Sequence, residues 1–554
     1  MTSKCFASVV EGAAILLLAM AHMGAQDNGA AIRGRIIAAD SGRPLRRAQI
    51  TAAPDSGSDT RTASTTADGR YEIKNLSDGR YRISVSRSGY LPLQYGQRRP
   101  LEAPAFLTIT NHAAVDRIDF ALPKMGLVAG RVTDETGEPI TGVLVMAMQS
   151  MYVDGQRRLV CASAFNLRTD DTGQYRLPGL APGTYVVMAT TRETWTRHTS
   201  GRDEVMGFQQ TYFPGTRDVA EARRVSVGVG QRIDGLDFSM IPARTASVSG
   251  TAVDSRGRPL TGRGVGATQT IRGATGGGGN FSVGSGLVAP DGTFTIKNVP
   301  PGEYKLQARG PSSGPGGEDE AAAQTVVVNG VDVDRVALVT SRGWSITGRI
   351  RTENGTAPAI SLDRARIIAT VPDATNPRGG PPGGKTKIND DWTFSVSDLF
   401  GPARLSMNLP AGSAVKALLQ DGRDLTDTAL ENKGADELTG VEIVVTNRIT
   451  TVGGQLTGDS GTAVADGTVI VFGADPQKWL ENSRFVRAAR PDSQGVWQIQ
   501  GLPPGEYFAI AIDYVQDRTW DDPQYLASLR LRAQPVTLSE GRAQSVSLKL
   551  ALSK

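Results

Sequence analysis

Apolar and polar residues alternate along a short stretch that begins at Asp68 and reads DGRYEIKNLSDGRYRISV. Tyr71 and Ile73 alternate with polar residues in its first half, and Tyr81 and Ile83 do so in its second half. A period of two is typical of a half-buried β-strand, and the Asp-Gly pairs supply turns. The stretch therefore predicts two strands joined by a tight turn, a β-hairpin whose aromatic side chains face the core.

Close copies of this motif recur along the chain. They read TGQYRLPGLAPGTYVVMA from Thr172, DGTFTIKNVPPGEYKLQA from Asp291 and QGVWQIQGLPPGEYFAIA from Gln494. The aromatic residue after the first turn occupies five positions: Tyr71, Tyr175, Phe294, Phe394 and Trp497. These positions are about a hundred residues apart, which is the size of a small β-sandwich. The spacing exceeds that of solenoid repeats, so it predicts whole domains in tandem.

Each unit opens with a strand that carries a glycine at the same place. The openings read IRGRI, VAGRV, VSGTA, ITGRI and VGGQL, and they contain Gly34, Gly130, Gly250, Gly348 and Gly454. Glycine inside a strand indicates a bulge or the close approach of another backbone. A further alternating run closes each unit, and no long amphipathic pattern interrupts the strands. We therefore expect an all-β chain, a tandem array of about five antiparallel β-sandwich domains.

The repeat predicts the domain boundaries. The expected domains are 30–123, 126–242, 245–340, 343–447 and 449–554. The fourth unit diverges, because Leu405 stands where the other units carry tyrosine, and the following VKALLQDGRDLTDTAL predicts extra strands. The glycine-rich tract GATGGGGNFSVGSG in the third unit is expected to be a loop.

The outline GRVTDETGEPITGVLV…TDDTGQYRLPGLAPGTYVVMA resembles the carboxypeptidase regulatory-like domain. It is also similar to bacterial collagen-adhesin B-type repeats and to starch-binding-like folds. The resemblance covers units one, two, three and five well and unit four in part. It implies a prealbumin-like, Ig-like Greek-key sandwich of bacterial origin. It also implies an accessory role, which is to stabilise, to space or to bind, sometimes with carbohydrate as the ligand. Function resides in sites carried by a fold, so the resemblance alone does not define it.

Residues 1–25 resemble a secretory signal peptide. Lys4 precedes an apolar stretch, 13–21, which small residues follow. We expect cleavage after Ala25, with Ala21 as the other candidate, and export to the periplasm, the cell surface or the medium. The alternative is an ordinary buried apolar N-terminus. No later stretch reaches the ~18 apolar residues of a membrane helix, so we expect no transmembrane span in the mature chain.

Composition and motifs argue against nucleic-acid binding and against catalysis. The net charge is only +4 over 554 residues, and no basic block is interleaved with aromatic residues. The three histidines, His22, His112 and His198, form no His-Glu-x-x-His motif, so we expect no metal site, no cofactor and no catalytic residues. Cys161 lies in an apolar run, which favours a buried thiol over a nucleophile. We expect a protein that is not an enzyme.

Aromatic residues in long polar loops are the candidates for ligand binding. Trp195 and Tyr212 lie in an insertion of the second unit, and Trp479 and Trp520 lie in loops of the fifth. Exposed aromatic faces stack on sugars, so these residues predict a site for polysaccharide or for an envelope protein. The alternative for each tryptophan is local packing. The acidic run 513–522 lacks the spacing of a calcium loop and is expected to be solvated. The rival prediction for the whole chain is a structural spacer or scaffold for a cell-surface or transport assembly, with no ligand of its own.

Overall fold

The structure is a computed structural model that describes residues 30–552, except 56–58, 154–155, 165, 200, 202, 273–277, 311–319, 372–383, 411, 432–435, 481 and 493. The predicted signal peptide, 1–25, lies outside the described residues. The chain divides into two compact units. The first comprises the described residues up to Arg87 and Phe106–Ala121, and the second comprises Ser88–Ala105 and the chain from Leu122 onward.

Strands dominate the described chain, and five runs of strands are here called segments one to five. Segment one contains Ala30–Ala38 (β1), Gln49–Pro54 (β2), Arg61–Ser64 (β3), Arg70–Leu76 (β4), Gly79–Ser86 (β5), Leu107–Ile109 (β7) and Phe120–Leu122 (β8); Leu93–Gln94 (β6) lies in the stretch between β5 and β7. Segment two contains Gly126–Thr133 (β9), Leu144–Val153 (β10), Gln156–Cys161 (β11), Gln174–Leu180 (β12), Gly183–Thr190 (β13), Thr194–His198 (β14), Asp203–Phe208 (β15), Thr211–Tyr212 (β16), Val225–Val227 (β17), Arg232–Ile233 (β18), Phe238–Ser239 (β19) and Pro242–Arg244 (β20). Segment three contains Ala246–Val253 (β21), Gly264–Arg272 (β22), Gly278–Leu287 (β23), Thr293–Val299 (β24), Gly302–Arg309 (β25), Ala321–Val328 (β26) and Val333–Val339 (β27).

The last two segments also carry short helices. Segment four contains Trp344–Thr352 (β28), Arg366–Thr370 (β29), Lys385–Ile388 (β30), Thr393–Leu399 (β31), Arg404–Asn408 (β32), Ala414–Gln420 (β33), Arg423–Asp424 (β34) and Glu437–Thr446 (β35), with a 3-10 turn at Leu362–Arg364. Segment five contains Thr451–Thr457 (β36), Thr468–Gly473 (β37), Val486–Ala489 (β38), Val496–Gln500 (β39), Gly505–Ile512 (β40), Gln534–Leu538 (β41), Ala543–Ser545 (β42) and Leu548–Ala551 (β43). It also contains the helix Pro523–Arg530 (α1) and 3-10 turns at Pro476–Lys478 and Thr519–Asp521.

The strands form layered sheets. In segments one to three, one sheet has the order β4-β1-β8, β12-β9-β18 or β24-β21-β27, and the other is built around β2-β5, β10-β13 or β22-β25. Segment two adds the small sheet β14-β15-β20, and segment four combines a six-stranded sheet with the pair β29-β32. In segment five, β43 pairs with both β36 and β40, so one sheet continues through the segment. The predicted all-β sandwich class is confirmed, whereas the number and bounds of the domains stay a prediction.

The two strands of the repeated motif do not pair with each other, so the expectation of a hairpin is wrong. β4 pairs with β1, whereas β5 pairs with β2 and β7. The alternation explains the arrangement, because Tyr71 and Ile73 of β4 and Tyr81 and Ile83 of β5 are all buried. Strands that face one core from opposite layers must belong to different sheets. The motif is therefore an arch that crosses from one layer to the other.

The opening strand of each later segment pairs in parallel with strands near the end of that segment. β9 pairs with β18 and β19, β21 with β27, β28 with β35, and β36 with β42 and β43. A purely antiparallel array was the expectation from the sequence, and these parallel pairs, together with the parallel pair β40–β43, depart from it. The pairs of the opening strands close each of these segments by joining its first strand to strands near its end.

Each opening glycine lies under a carbonyl group of the closing stretch. A Cβ atom on Gly250 would lie 1.9 Å from the carbonyl oxygen of Val336, and one on Gly34 would lie 2.0 Å from that of Ile118. Equivalent distances to a carbonyl oxygen are 2.2 Å at Gly130, 1.9 Å at Gly348 and 2.0 Å at Gly454. No side chain fits in that space, which explains the repeated glycine as a site of close backbone approach.

The same carbonyl accepts a hydrogen bond in segments one and two. The Tyr71 hydroxyl donates to the Ile118 oxygen at 2.7 Å, and the Tyr175 hydroxyl donates to the Leu236 oxygen at 2.8 Å. Such a bond contributes about 1 kcal/mol. Burial raises the pKa of both phenols, so each stays protonated and able to donate at neutral pH. In segment five, Trp497 occupies the position equivalent to Tyr71 and Tyr175. Its buried indole N–H has no acceptor among the described residues.

The predictions for the divergent part of segment four and for the glycine-rich tract of segment three had opposite outcomes. The expectation of extra strands in segment four is confirmed, because β33 pairs with β34 and with β35. The glycine-rich tract of segment three is not all loop, because β23 begins at Gly278 and pairs with β22. Phe281 explains the difference, since its buried ring holds this part of the tract in a strand. Residues 273–277 of the tract lie outside the described chain.

Candidate functional site

Trp195 lies on β14 and is half-buried. Its ring centroid is 4.8 Å from that of Phe208, and its side chain packs against the core of segment two. One part of the indole is therefore covered by the protein, while the remainder stays accessible on the β14–β15 hairpin. Of the predicted residues, Trp195 comes nearest to an accessible aromatic platform, although only part of its surface is free.

Tyr212 lies at the contact between segments two and three. Its hydroxyl accepts a hydrogen bond from the Gln210 amide, and the other end of that amide accepts from Gln269 Nε2 at 2.5 Å. Its ring packs against an apolar cluster shared by the two segments, and burial raises the pKa of its phenol. Tyr212 therefore belongs to a contact inside the protein and not to the cluster that holds Trp195.

Trp479 is only 4% exposed, so the expectation of an exposed loop tryptophan is wrong here. The 3-10 turn Pro476–Lys478 directs the side chain inward, and Nε1 donates to the Gly473 carbonyl at 2.6 Å. The ring meets Phe472 edge-to-face at 5.6 Å between centroids. This side chain packs in an apolar cluster and presents no face to a sugar.

Trp520 lies in the 3-10 turn Thr519–Asp521 and is half-buried against the same apolar cluster as Trp479. Helix α1 contributes Leu526 and Leu529 to this cluster. The structure therefore brings two predicted residues together, but as packing under a helix. A helix signal was present in the sequence, because Asp522 followed by Pro523 is typical of an N-cap and a first helical position.

In the acidic run 513–522, the side chains of Asp521 and Asp522 form a helix cap and ion pairs. The Asp522 side chain caps α1 by accepting from Gln524 N at 2.9 Å, and it pairs with Arg157 at 2.7 Å. Asp521 accepts from Arg518 Nε at 2.8 Å. In the part of the chain that the structure describes, no group of three or more His, Cys, Asp or Glu residues could hold a metal ion.

The other reactive residue types occupy unreactive settings. His112 and His198 are exposed and lie beside Asp78 and Asp203, with separations of 3.5 Å and 2.8 Å between Nδ1 and a carboxylate oxygen. Cys161 is buried and unpaired, as expected, and burial raises the pKa of its thiol. A buried thiol of raised pKa is a poor nucleophile.

An apolar cluster joins segments two and three. Its buried members are Leu144, Met146, Met148, Cys161, Met188, Ile271 and Phe281. The first five lie on the second sheet of segment two, on the face away from its core, and the last two come from β22 and β23. Arg192 adds a cation–π contact, with its guanidinium carbon 5.0 Å from the Phe281 ring centroid. The sequence analysis did not predict this cluster, because apolar and polar residues do not alternate along a strand that is buried on both faces.

A charged cluster joins segments four and five. Lys416 Nζ lies 2.8 Å from a carboxylate oxygen of Glu353 and 2.8 Å from one of Glu540. Arg448 pairs with the same two carboxylates at 2.7 Å and 3.2 Å. The hydrogen bond from Lys416 is the largest cause of a lowered pKa at Glu353, which falls from 4.5 to about 2.

Acid is expected to weaken the contact between segments four and five. Because the folded-state pKa of Glu353 is lowered, its contribution is complete above about pH 4.5 and is lost as the pH falls toward 2. Hydrogen exchange in β33, corrected for intrinsic rates, should increase between about pH 6 and pH 3. A Glu353→Gln variant should show a smaller change over that range. Equal pH dependence in the two proteins would contradict a role for this carboxylate.

A cleft of about 1300 Å³ lies between segments three and four. Arg256 and Arg342 line it from one segment and the intervening linker, and Asp436 and Glu437 line it from the other. Trp344 also borders the cleft, but only 3% of this residue is exposed. The wall is thus polar and of mixed charge, and among the described lining residues it has no exposed aromatic face.

Comparison with protein families assigns the first two segments. Residues 31–122 and 128–239 match the model of the carboxypeptidase regulatory-like domain. The chain therefore carries two tandem carboxypeptidase regulatory-like domains, which confirms the resemblance seen in the sequence. For segments three to five the resemblance stays a prediction. Within the described residues, no helix has the length and apolar character needed to cross a membrane.

A comparison with solved structures finds bacterial pilins as matches at low identity. A minor pilin of Streptococcus agalactiae is 13% identical over 39% of this chain and 98% of its own, with a TM-score of 0.22. A shaft pilin of Lactobacillus rhamnosus GG is 15% identical over 38% and 98%, with a TM-score of 0.19. The major pilin subunit of Bacillus cereus is 10% identical over 77% and 99%, with a TM-score of 0.15. At these TM-scores the likeness carries no conclusion about function. No curated protein matches the chain.

Proposed function

We propose that this chain is a non-catalytic structural protein that holds β-sandwich segments at fixed angles. In this role it would space or position a partner in the cell envelope or at the cell surface. The observation that carries the proposal is the buried apolar cluster between segments two and three. The apolar stretch 13–21 supports export of the chain from the cytoplasm.

The apolar cluster favours a rigid connection over a flexible one. Adjacent domains move relative to each other unless their interface is large and hydrophobic. Met146 is fully buried at this contact and Phe281 is only 7% exposed, so separating the two segments would expose both side chains to water. The charged cluster around Lys416 adds a second contact between neighbouring segments, four and five.

A charge placed in the apolar cluster tests the proposal. Met146→Asp should separate segments two and three, because an unpaired carboxylate is strongly disfavoured among apolar side chains. Spin labels at Ser226→Cys and Thr325→Cys, in a background that carries Cys5→Ala and Cys161→Ala, would report the distance between the segments. We expect one narrow distribution in the parent and a broad one in Met146→Asp.

The matched control is Met151→Asp, which lies further along β10 at a half-buried position outside the cluster. It should keep the narrow distribution. A broad distribution in the parent protein would contradict the scaffold proposal, because the segments would then move freely without any substitution.

Polysaccharide binding is the second candidate function. It is supported by the partly accessible ring of Trp195 and by the polar cleft between segments three and four. Trp479 is excluded as a stacking platform by its burial. A glycan panel with the parent and a Trp195→Ala variant decides between the candidates: binding lost in the variant favours a carbohydrate site, and no binding by either folded protein leaves the scaffold.

A further inference from the structure

The stretch Ser88–Ala105, here called the arm, runs between β5 and β7 yet belongs to the second compact unit. Its residues 98–102, Arg-Arg-Pro-Leu-Glu, contact segment five. Glu102 forms an isolated antiparallel bridge with Gln516. The partners are far apart in the chain, since Glu102 and Arg490 are separated by 388 positions. A segment therefore docks on a surface that lies near the other end of the sequence.

A buried ion pair forms the centre of this contact. Arg490 Nη1 lies 2.8 Å from Glu102 Oε2, and each side chain is only 3% exposed. Asp466 lies 3.6 Å from the other Arg490 nitrogen and also pairs with Arg98 of the arm. Removing one partner of a buried pair leaves an uncompensated charge, so this arrangement strongly favours a glutamate at the centre of the docked segment.

The remaining contacts involve the backbone of the arm and its second arginine, Arg99. The Tyr514 hydroxyl donates to the Pro100 carbonyl at 3.2 Å, and Asp517 N donates to the Leu101 carbonyl at 2.6 Å. The Arg99 guanidinium lies 5.0 Å from the Tyr514 ring centroid and donates to the Asp513 carbonyl at 3.0 Å. Main-chain hydrogen bonds combined with specific side-chain contacts are how protein domains recognise peptides.

The arm holds its own shape. The Glu102 carboxylate accepts hydrogen bonds from Arg98 N at 3.0 Å and Arg99 N at 3.1 Å, which closes a compact turn. Residues 98–102 are not members of the two described hydrophobic clusters of segment five. A preorganised segment loses little conformational freedom on docking. The arm therefore has the properties of a ligand and segment five those of its receptor.

We propose that segment five carries a peptide-binding surface, formed by Asp466, Arg490, Tyr514 and Asp517, and that this surface also takes the arm of a second copy of this chain. Every contact described above is the same whether the arm comes from its own chain or from another. The intramolecular arm has the advantage of a high effective concentration. Exchange between copies follows when that advantage is removed. This inference does not depend on the proposed scaffold function.

Two complementary full-length variants test the proposal. The first, Arg98→Ala with Glu102→Ala, has a disabled arm and an intact surface. The second, Asp466→Ala with Arg490→Ala, has a disabled surface and an intact arm. Each alone should sediment as a monomer, whereas an equimolar mixture should form a one-to-one dimer at least about tenfold more abundant than in either alone. A mixture that stays monomeric while both proteins are folded would overturn the proposal.

A peptide supplies the second measurement and does not require the surface variant to fold. A labelled peptide of residues 94–105 should bind the arm-disabled variant and bind the parent at least about tenfold more weakly, because the parent surface is occupied. The same peptide with Glu102→Ala should not bind. If Arg98→Ala with Glu102→Ala fails to fold, Arg99→Ala is a milder arm variant, since Arg99 is half-exposed. Absence of peptide binding to a folded arm variant would overturn the inference.

Discussion

Replacing Gly250 with alanine is expected to lower the free energy of unfolding of segment three by at least about 3 kcal/mol. The new Cβ atom would lie 1.9 Å from the Val336 carbonyl oxygen and 2.7 Å from its carbonyl carbon. Both atoms belong to the backbone of β27, so the clash cannot be relieved by rotating a side chain. β21 and β27 would have to move apart, which breaks the parallel pairing between them.

The control for this substitution is Gly266→Ala in the same segment. Gly266 also lies in a strand, β22, but a Cβ atom there would meet nothing within 4 Å. Its stability should be unchanged or slightly raised, because alanine restricts the unfolded chain. Hydrogen exchange measured in peptides from β21 and β27 reports segment three specifically, which a single melting curve of a multi-segment chain does not. Equal protection in the two variants would show that β27 does not approach Gly250 as described.

The core of each segment was predictable because its signals are local. Alternation around Tyr71 and Ile73 places both side chains in the core, and the repeated glycine indicates a close approach. The identity of the approaching backbone was not predictable. Ile118 lies 84 positions from Gly34, and nothing near either residue specifies the partner. The sequence thus predicted which residues are special but not which strands they meet.

The arrangement of the two motif strands shows the same limit. A tight turn between two alternating strands fits a hairpin and an arch equally well, because both bury every second residue. The choice depends on whether the strands share a sheet or face each other across the core. That choice is set by β1 and β2, which pair with β4 and β5 respectively. It is therefore a property of the whole segment.

The candidate site was predicted less well than the fold. A tryptophan among polar residues in the sequence is consistent with an exposed indole ring and equally with an indole ring buried in the protein. Trp479 is buried because β37 and β40 of segment five have a second apolar face, which contains Ile470 and Ile510, and the indole ring packs against it. The contact between the arm and segment five could not be predicted from the local sequence either, because Glu102 and Arg490 are individually ordinary charged residues. Their burial follows from long-range packing.

Substituting Leu526 with aspartate is expected to release helix α1 from segment five. Leu526 is 1% exposed and packs, with Leu529, over the outer apolar face that contains Ile470 and Phe472. Loss of a buried leucine alone costs about 2–5 kcal/mol, and the unpaired carboxylate adds a desolvation penalty. A helix of eight residues has little stability of its own. Undocking is therefore the expected response.

Tryptophan fluorescence measures this release directly, because Trp479 and Trp520 lie in the cluster that the helix covers. Their emission should shift to longer wavelength in Leu526→Asp, and a dye that binds exposed apolar surface should bind the variant. Leu531→Asp, at the end of the same helix and 96% exposed, is the matched control and should leave both signals unchanged. A similar response in the two variants would mean that α1 does not cover the cluster. A response confined to Leu526→Asp would establish that these tryptophans serve packing, which removes them from the list of sugar-binding residues and leaves Trp195 as the one to test.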